Sequence, residues 1–149
     1  MRALASAGAG FLLAVLWFDL MFDVQVRGNA GGELPESVLA SIAAYYARVT
    51  TTSRPMSRLV LLAMLVTIGA LIATLLGGDL PNSRAAIALA LTIVAVSLAG
   101  AHTVPAAVRL GTRRDDAARQ SRLARNILRD HLVCIAAIAV TLLVLLLPA

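Results

Sequence analysis

The stretch LVLLAMLVTIGALIATLL, from Leu59 to Leu76, decides the fold of this chain. It holds no charged side chain and stops at Gly77-Gly78, where two glycines release a helix. Its length is close to the roughly 20 residues that cross a bilayer core as an α-helix. A helix on the surface of a soluble domain carries a polar stripe, and this run has none.

Reading outward, three further runs share its character. The first extends from Leu4 to Val26 and is interrupted only near its end, by Asp19 and Asp23. The third extends from Ala85 to about Val104 and is expected to end at Pro105; the fourth covers Leu132 to Leu147 and stops at Pro148. A secretory leader is the rival reading of the first run, since Arg2 precedes an apolar core. Two aspartates and Arg27 at its end fit a cleavage region poorly, so it reads as a permanent span. Composition agrees: 60% of residues are hydrophobic, 14% are charged, and the mean hydropathy is +0.87. A soluble domain usually carries about a quarter charged residues, so lipid must cover this one. The expected fold is all-α, an integral membrane antiparallel four-helix bundle. It is a single domain over 1–149, with spans at about 4–26, 59–76, 85–104 and 132–147.

All 13 basic residues are arginine, which with the abundant alanine suggests a GC-rich bacterial genome and an inner-membrane location. Arg27, Arg48, Arg54 and Arg58 fall in the first loop. Arg109, Arg113, Arg114, Arg119, Arg122, Arg125 and Arg129 fall in the third, leaving only Arg2 and Arg84 on the other side. The positive-inside rule therefore places both termini outside. A basic pI near 11.0 does not indicate nucleic acid, because these arginines occupy short loops between spans and not a soluble face. The single Cys134 excludes an intramolecular disulfide.

Two of the connecting segments read as amphipathic helices, at about 36–49 and 115–131. In the first, Val38, Ile42, Tyr45 and Val49 recur at helical spacing after Gly31-Gly32 and Pro35. This predicts an interfacial helix with Tyr45 and Tyr46 at headgroup level. Ser53 is the expected cap of the second span. In the second segment Asp115 and Arg119 are spaced i,i+4 while Leu123 and Ile127 form a stripe, so the fourth helix should begin in the cytoplasm and enter the membrane near His131. Arg122, Arg125 and Arg129 would meet anionic headgroups. Small residues in span one (Ala3, Ala7, Gly8, Gly10) and span three (Ala88, Ala95, Ala99, Gly100) allow close helix approach. They point to span three as the central helix, to a lipid-facing span four, and to a second copy or another membrane subunit as partner. The four short spans show neither the internal repeat nor the broken helices of a transporter.

The residues that could carry chemistry fall at one depth. Asp19 and Asp23 lie one turn apart on span one, with Arg27 a turn further and Trp17 alongside. His102 and the Asp130-His131 pair lie at the same end of spans three and four. Ionisable groups inside a span mark function by default. Three readings fit. A polar clasp would pair Asp23 with Arg27 or a loop arginine and Asp19 with a histidine, fixing helix packing. A metal or haem site would draw its ligands from His102, His131, Asp19 and Asp23, though the Glu-x-x-His repeats of di-iron bundles are missing and no cofactor is demanded. Acid–base chemistry would use His131 as base, oriented by Asp130 or Asp23, on a lipophilic quinone- or phenol-like substrate. Trp17 is either a pocket wall or a lipid-facing ring. Cys134 reads as a small packing residue.

The arrangement resembles the anthrone oxygenase-like group of small four-helix membrane proteins. The resemblance is carried by Ser53-Arg54-Pro55, by His102-Thr103-Val104-Pro105 and by Arg125-Asn126-Ile127-Leu128-Arg129-Asp130-His131. Members of the group tend to have Asn where this chain has His102, and Asn-His with a nearby tryptophan where it has Asp130-His131. His131 is the residue that carries over. The resemblance implies cofactor-independent oxygenation of a phenolic polycycle. Two classes of function are thus expected: a membrane enzyme with His131, His102, Asp23 and Asp19 around a pocket, or a non-catalytic scaffold subunit that binds partner helices and anionic lipid.

Overall fold

A long apolar run leaves its backbone groups to bond with one another, and all four such runs are helical. The computed structural model describes residues 1–29, 31–52 and 54–148. Helix α1 (Arg2–Asp23) continues into a 3-10 turn, Val24–Gly28. Helix α2 (Glu36–Ala47) is followed by a π-helical turn, Arg48–Thr52, and then α3 (Arg54–Gly77). Helix α4 (Asn82–Leu98) passes through a second π turn, Ala99–Thr103, into α5 (Val104–Gly111), and α6 (Ala117–Leu146) completes the fold. Among the described residues there is no strand. Four helical stretches are long and apolar enough to cross a membrane: Arg2–Gly28, Pro55–Gly77, Asn82–Gly111 and Ala117–Leu146. The expected Ser53 cap lies outside the described residues.

The bundle is antiparallel, and its polar ties show it. The Met1 amine lies 3.0 Å from Asp79 in the α3–α4 turn. Arg2 donates from Nε to the Leu145 carbonyl and from Nη2 to the Leu147 carbonyl, at 2.5 and 2.7 Å. Arg84 reaches the Pro148 carbonyl at 2.7 Å. The start of α1, the end of α3, the start of α4 and the end of α6 therefore meet at one end. These arginines take carbonyls that the last turn of α6 leaves without a helical donor.

The central helix is α6 and not span three. Of its most apolar stretch 44% is buried, against 17–22% in the other three spans. The reason lies in its inward face, where Ala124, Cys134, Ala137 and Thr141 alternate with Ile127, Ile138 and Leu145, all buried. Small side chains there let both α1 and α4 approach closely. Its leucines at the far end divide, with Leu143 and Leu146 exposed at 62% and 61% while Leu145 is fully buried. On the opposite flank Gly8 of α1 faces α3 so closely that a Cβ there would run into Thr67 Oγ1.

Pro105 does not end the third span. It sits at the second position of α5, just after the π turn. A proline lacks the N–H that would bond one turn back and clashes with that carbonyl. The wider π turn accommodates both effects within a continuous helix. Helix α5 then carries Ala106, Ala107 and Leu110 into a second core, with Leu39, Ile42, Ala43 and Tyr46 of α2 and with Ala124, Ile127 and Leu128 of α6. Helix α2, expected as an interfacial helix, is held by protein contacts, with Tyr46 buried and Tyr45 half-buried. It is packed across the arginine-rich end of the bundle, so closely that a Cβ on Gly111 would lie 2.8 Å from the Ala47 nitrogen. Its incoming loop is held by Arg125, which donates to the carbonyls of Asn29 and Gly32, and by Ser121, which accepts from the Leu34 N–H at 2.9 Å.

The early start of α6 agrees with expectation. Asp116 caps it by accepting from the Arg119 N–H at 2.7 Å. The i,i+4 pair of Asp115 and Arg119 is present at 3.7 Å, but Arg109 holds Asp115 more firmly, through two bonds of 2.7 Å. That guanidinium keeps the Asp115 carboxyl below the usual carboxylate range.

Candidate functional site

Residues 19 and 23 are one turn apart, so both carboxylates leave α1 on the same side. Residues 130 and 131 are consecutive on α6 and so face different neighbours. His131 turns toward α1 and donates from Nδ1 to Asp23 Oδ2 at 2.6 Å. Its Nε2 lies 3.9 Å from Asp19 Oδ2. Asp130 turns toward the π turn, where His102 bonds to it through Nδ1 and Thr103 donates to it at 3.3 Å.

Two tyrosines complete the cluster. Tyr46 donates to Asp23 Oδ1 at 2.7 Å and Tyr45 donates to Asp19 Oδ1 at 2.5 Å. Burial and the neighbouring aspartates push both phenols above their ordinary range, so each stays a proton donor at neutral pH. Tyr45 also stacks on Phe22, with ring centroids 4.0 Å apart, which fixes its hydroxyl over Asp19. The chain Tyr45–Asp19–His131–Asp23–Tyr46 therefore crosses from α2 through α1 to α6 and back. Asp23 is completely buried and His131 is 7% exposed.

Helical periodicity placed these tyrosines one residue out of phase. Of the expected stripe, Val38, Tyr45 and Val49 are half-buried and only Ile42 is fully buried, because the inward face is Leu39, Ile42, Ala43 and Tyr46. The pattern Leu39–Ile42–Ala43–Tyr46 was a signal available in the sequence for turning Tyr46 inward. Replacing Tyr46 by Phe leaves Asp23 Oδ1 buried without a donor, which is expected to cost about 1–3 kcal/mol. Thermal unfolding in detergent should show that loss, and a smaller one for Tyr45→Phe, whose hydroxyl is only part-buried.

Beside the cluster lies a cavity of about 130 Å³ between α1, α3, α4 and α6. Leu12, Leu16, Met64 and Ile138 wall it, and Asp19 and His131 supply its ionisable groups. Cys134 also borders it, with its thiol 3.5 Å from the Ala95 carbonyl.

The expected residues divide into three sets. His131, Asp23 and Asp19 come together, and His131 and Asp19 line the cavity. Asp130, expected to orient His131, pairs instead with His102, whose ring is 46% exposed on the outside of the bundle. Trp17 is 64% exposed and Arg27 is exposed with no ion pair among the described residues, so neither joins the cluster. Of the four side chains considered as metal ligands, His102 is drawn away to Asp130, and His131 is engaged by Asp23 with Asp19 at 3.9 Å. Among the described residues no three His, Cys, Asp or Glu side chains converge to hold a metal ion. No protein-family model, curated protein or solved structure matches the chain, and its function is read from this geometry.

Proposed function

We propose that this chain is a multi-pass membrane enzyme that moves a proton on a lipophilic phenol- or quinone-like substrate, with His131 as general base and acid. The observation that carries the reading is the placement of His131. Its Nδ1 is bonded to the buried Asp23, while its Nε2 is turned toward Asp19, and both His131 and Asp19 line an apolar cavity. A carboxylate at Nδ1 fixes the tautomer that leaves Nε2 for the substrate. When Nε2 takes the proton of a phenolic hydroxyl, the O–H bond breaks and its electron pair stays on oxygen. The imidazolium that forms is met by Asp23 at one nitrogen and Asp19 at the other. In the reverse direction the imidazolium returns that Nε2 proton to the phenolate oxygen, and the ring is neutral again.

The cavity supports a small substrate. An apolar space of about 150 Å³ takes a benzene ring, and this one is about 130 Å³. A space no larger than that admits one ring at most and no polycycle. The arginine bias supports a cytoplasmic position for this end, with both termini outside.

The test uses 4-nitrophenol, whose phenolate absorbs visibly, with the purified chain in detergent. Bound nitrophenol is expected to ionise in the wild type at a pH where the free phenol does not, and to remain un-ionised with His131→Gln. The same spectrum for both proteins sinks the assignment.

A non-catalytic subunit is the second reading, favoured by one specific observation. Among the described residues the buried side-chain polar atoms without a partner are Arg113 Nη1 and Gln120 Oε1, both outside the cluster. A cluster whose fully buried polar atoms all have partners can serve as a clasp alone. In that case nitrophenol does not bind beside His131.

A further inference from the structure

A groove of about 650 Å³ opens on the outer flank of the third span, where α5 turns into α6. Its wall is Val104, Pro105 and Val108, with Val104 and Val108 exposed at 51% and 41%. Its mouth carries Arg109, Arg114 and Asp115. The charges at the mouth do not cancel. Both oxygens of Asp115 are taken by Arg109, with Arg119 3.7 Å away, and Asp116 is turned to the N-terminus of α6. Arg114 is exposed and has neither an ion pair nor a hydrogen bond to its side chain among the described residues.

We infer that this groove holds one anionic phospholipid, its acyl chain along Val104, Pro105 and Val108 and its phosphate on Arg114. The wall runs along a helix whose own backbone groups are satisfied, and Pro105 has no N–H, so it offers nothing to a peptide strand. It offers apolar contact to a hydrocarbon chain. A guanidinium with all five donors free matches the oxygens of a phosphate. The order of the two features, apolar flank toward mid-span and cation at the turn, is that of a lipid standing in its leaflet. The volume lies within the roughly 300–1,000 Å³ of ordinary ligand sites. This site is separate from the His131 cavity and does not depend on the function proposed for it.

Native mass spectrometry of the full chain in a non-ionic detergent tests the inference. Phosphatidylglycerol and phosphatidylcholine of the same acyl chains are added in parallel, with far-UV circular dichroism confirming that each variant is folded. One phosphatidylglycerol is expected to be retained in preference to phosphatidylcholine. Arg114→Gln should lower that retention about fivefold, the loss expected of one interfacial arginine. Val108→Asp should lower it as well, by spoiling the wall, and Arg58→Gln, at the exposed start of α3 and outside the groove, should not. Equal retention of the two lipids, or an unchanged adduct with Arg114→Gln, overturns the proposal. An equal loss with Arg58→Gln overturns it too, since diffuse charge would then suffice. Excess inorganic phosphate distinguishes the source of the anion: displacement of the lipid by phosphate assigns the site to a free anion and also overturns it.

Discussion

Asp23→Ala is expected to destabilise the bundle by about 3–5 kcal/mol, because it leaves a buried ionic partner uncompensated. Asp23 is fully buried, and its two oxygens accept from His131 Nδ1 and Tyr46 Oη. Truncation strands both donors in an apolar interior, where neither water nor another side chain replaces the carboxylate. Unfolding in detergent, followed by helical circular dichroism against added denaturing detergent, reads the loss directly. Asp23→Asn keeps an acceptor and should lose less. The double variant Asp23→Leu, His131→Phe removes the pair together, and such replacements by apolar residues are often neutral or stabilising. A stable double variant that no longer ionises nitrophenol would separate the packing role of the pair from its chemistry. A loss below about 1 kcal/mol for Asp23→Ala, the range of an ordinary hydrogen bond, would mean that the triad does not hold the helices.

The second large effect is expected from Gly111→Val. Here α5 crosses α2 with backbone against backbone. A Cβ on Gly111 would lie 2.8 Å from the Ala47 nitrogen, 3.0 Å from its Cα and 3.3 Å from the Tyr46 carbonyl carbon. No flexible side chain stands between them to give way, so α2 as a whole must move. Overpacking costs about 1–3 kcal/mol where side chains can adjust, and a branched residue against backbone belongs at the upper end or beyond. Because α2 carries Tyr45 and Tyr46, the displacement also pulls the donors off Asp19 and Asp23. The variant should therefore lose both stability and the near-ultraviolet signature of the paired tyrosines. Gly69→Ala is the control: a Cβ there meets nothing within 4 Å, and alanine favours the helix by about 1 kcal/mol. Equal behaviour of the two variants would refute the close crossing.

The links between packing and the site explain why parts of it were hidden from the sequence. Asp19, Asp23 and His131 were visible because an ionisable group in an apolar run stands out whatever its neighbours do. Tyr45 and Tyr46 were not, since a tyrosine on a short helix suits a membrane interface and a buried cluster equally well. The Leu39–Ile42–Ala43–Tyr46 spacing offers one inward face among two, and the meeting of α2 with α5 and α6 selects it. The partition of the histidines was hidden for a similar reason. Neighbouring positions 130 and 131 point to different helices, so which histidine Asp130 serves depends on where α4 and α5 lie, and the π turn at Ala99–Thr103 helps decide that.

What the amino-acid sequence determined by itself was the number of long helices, their order, the depth of the polar residues and the concentration of arginine at one end. These follow from local hydropathy, which needs no knowledge of neighbours. What only the tertiary structure decided was which helix is central, that the third span continues past Pro105, and that His131 rather than His102 borders a cavity. Among helices that are apolar on every side, hydropathy does not mark an inner face. That choice rests on the fit of small residues such as Ala124, Ala137 and Thr141 against partners distant in the chain, and on where buried donors find their acceptors.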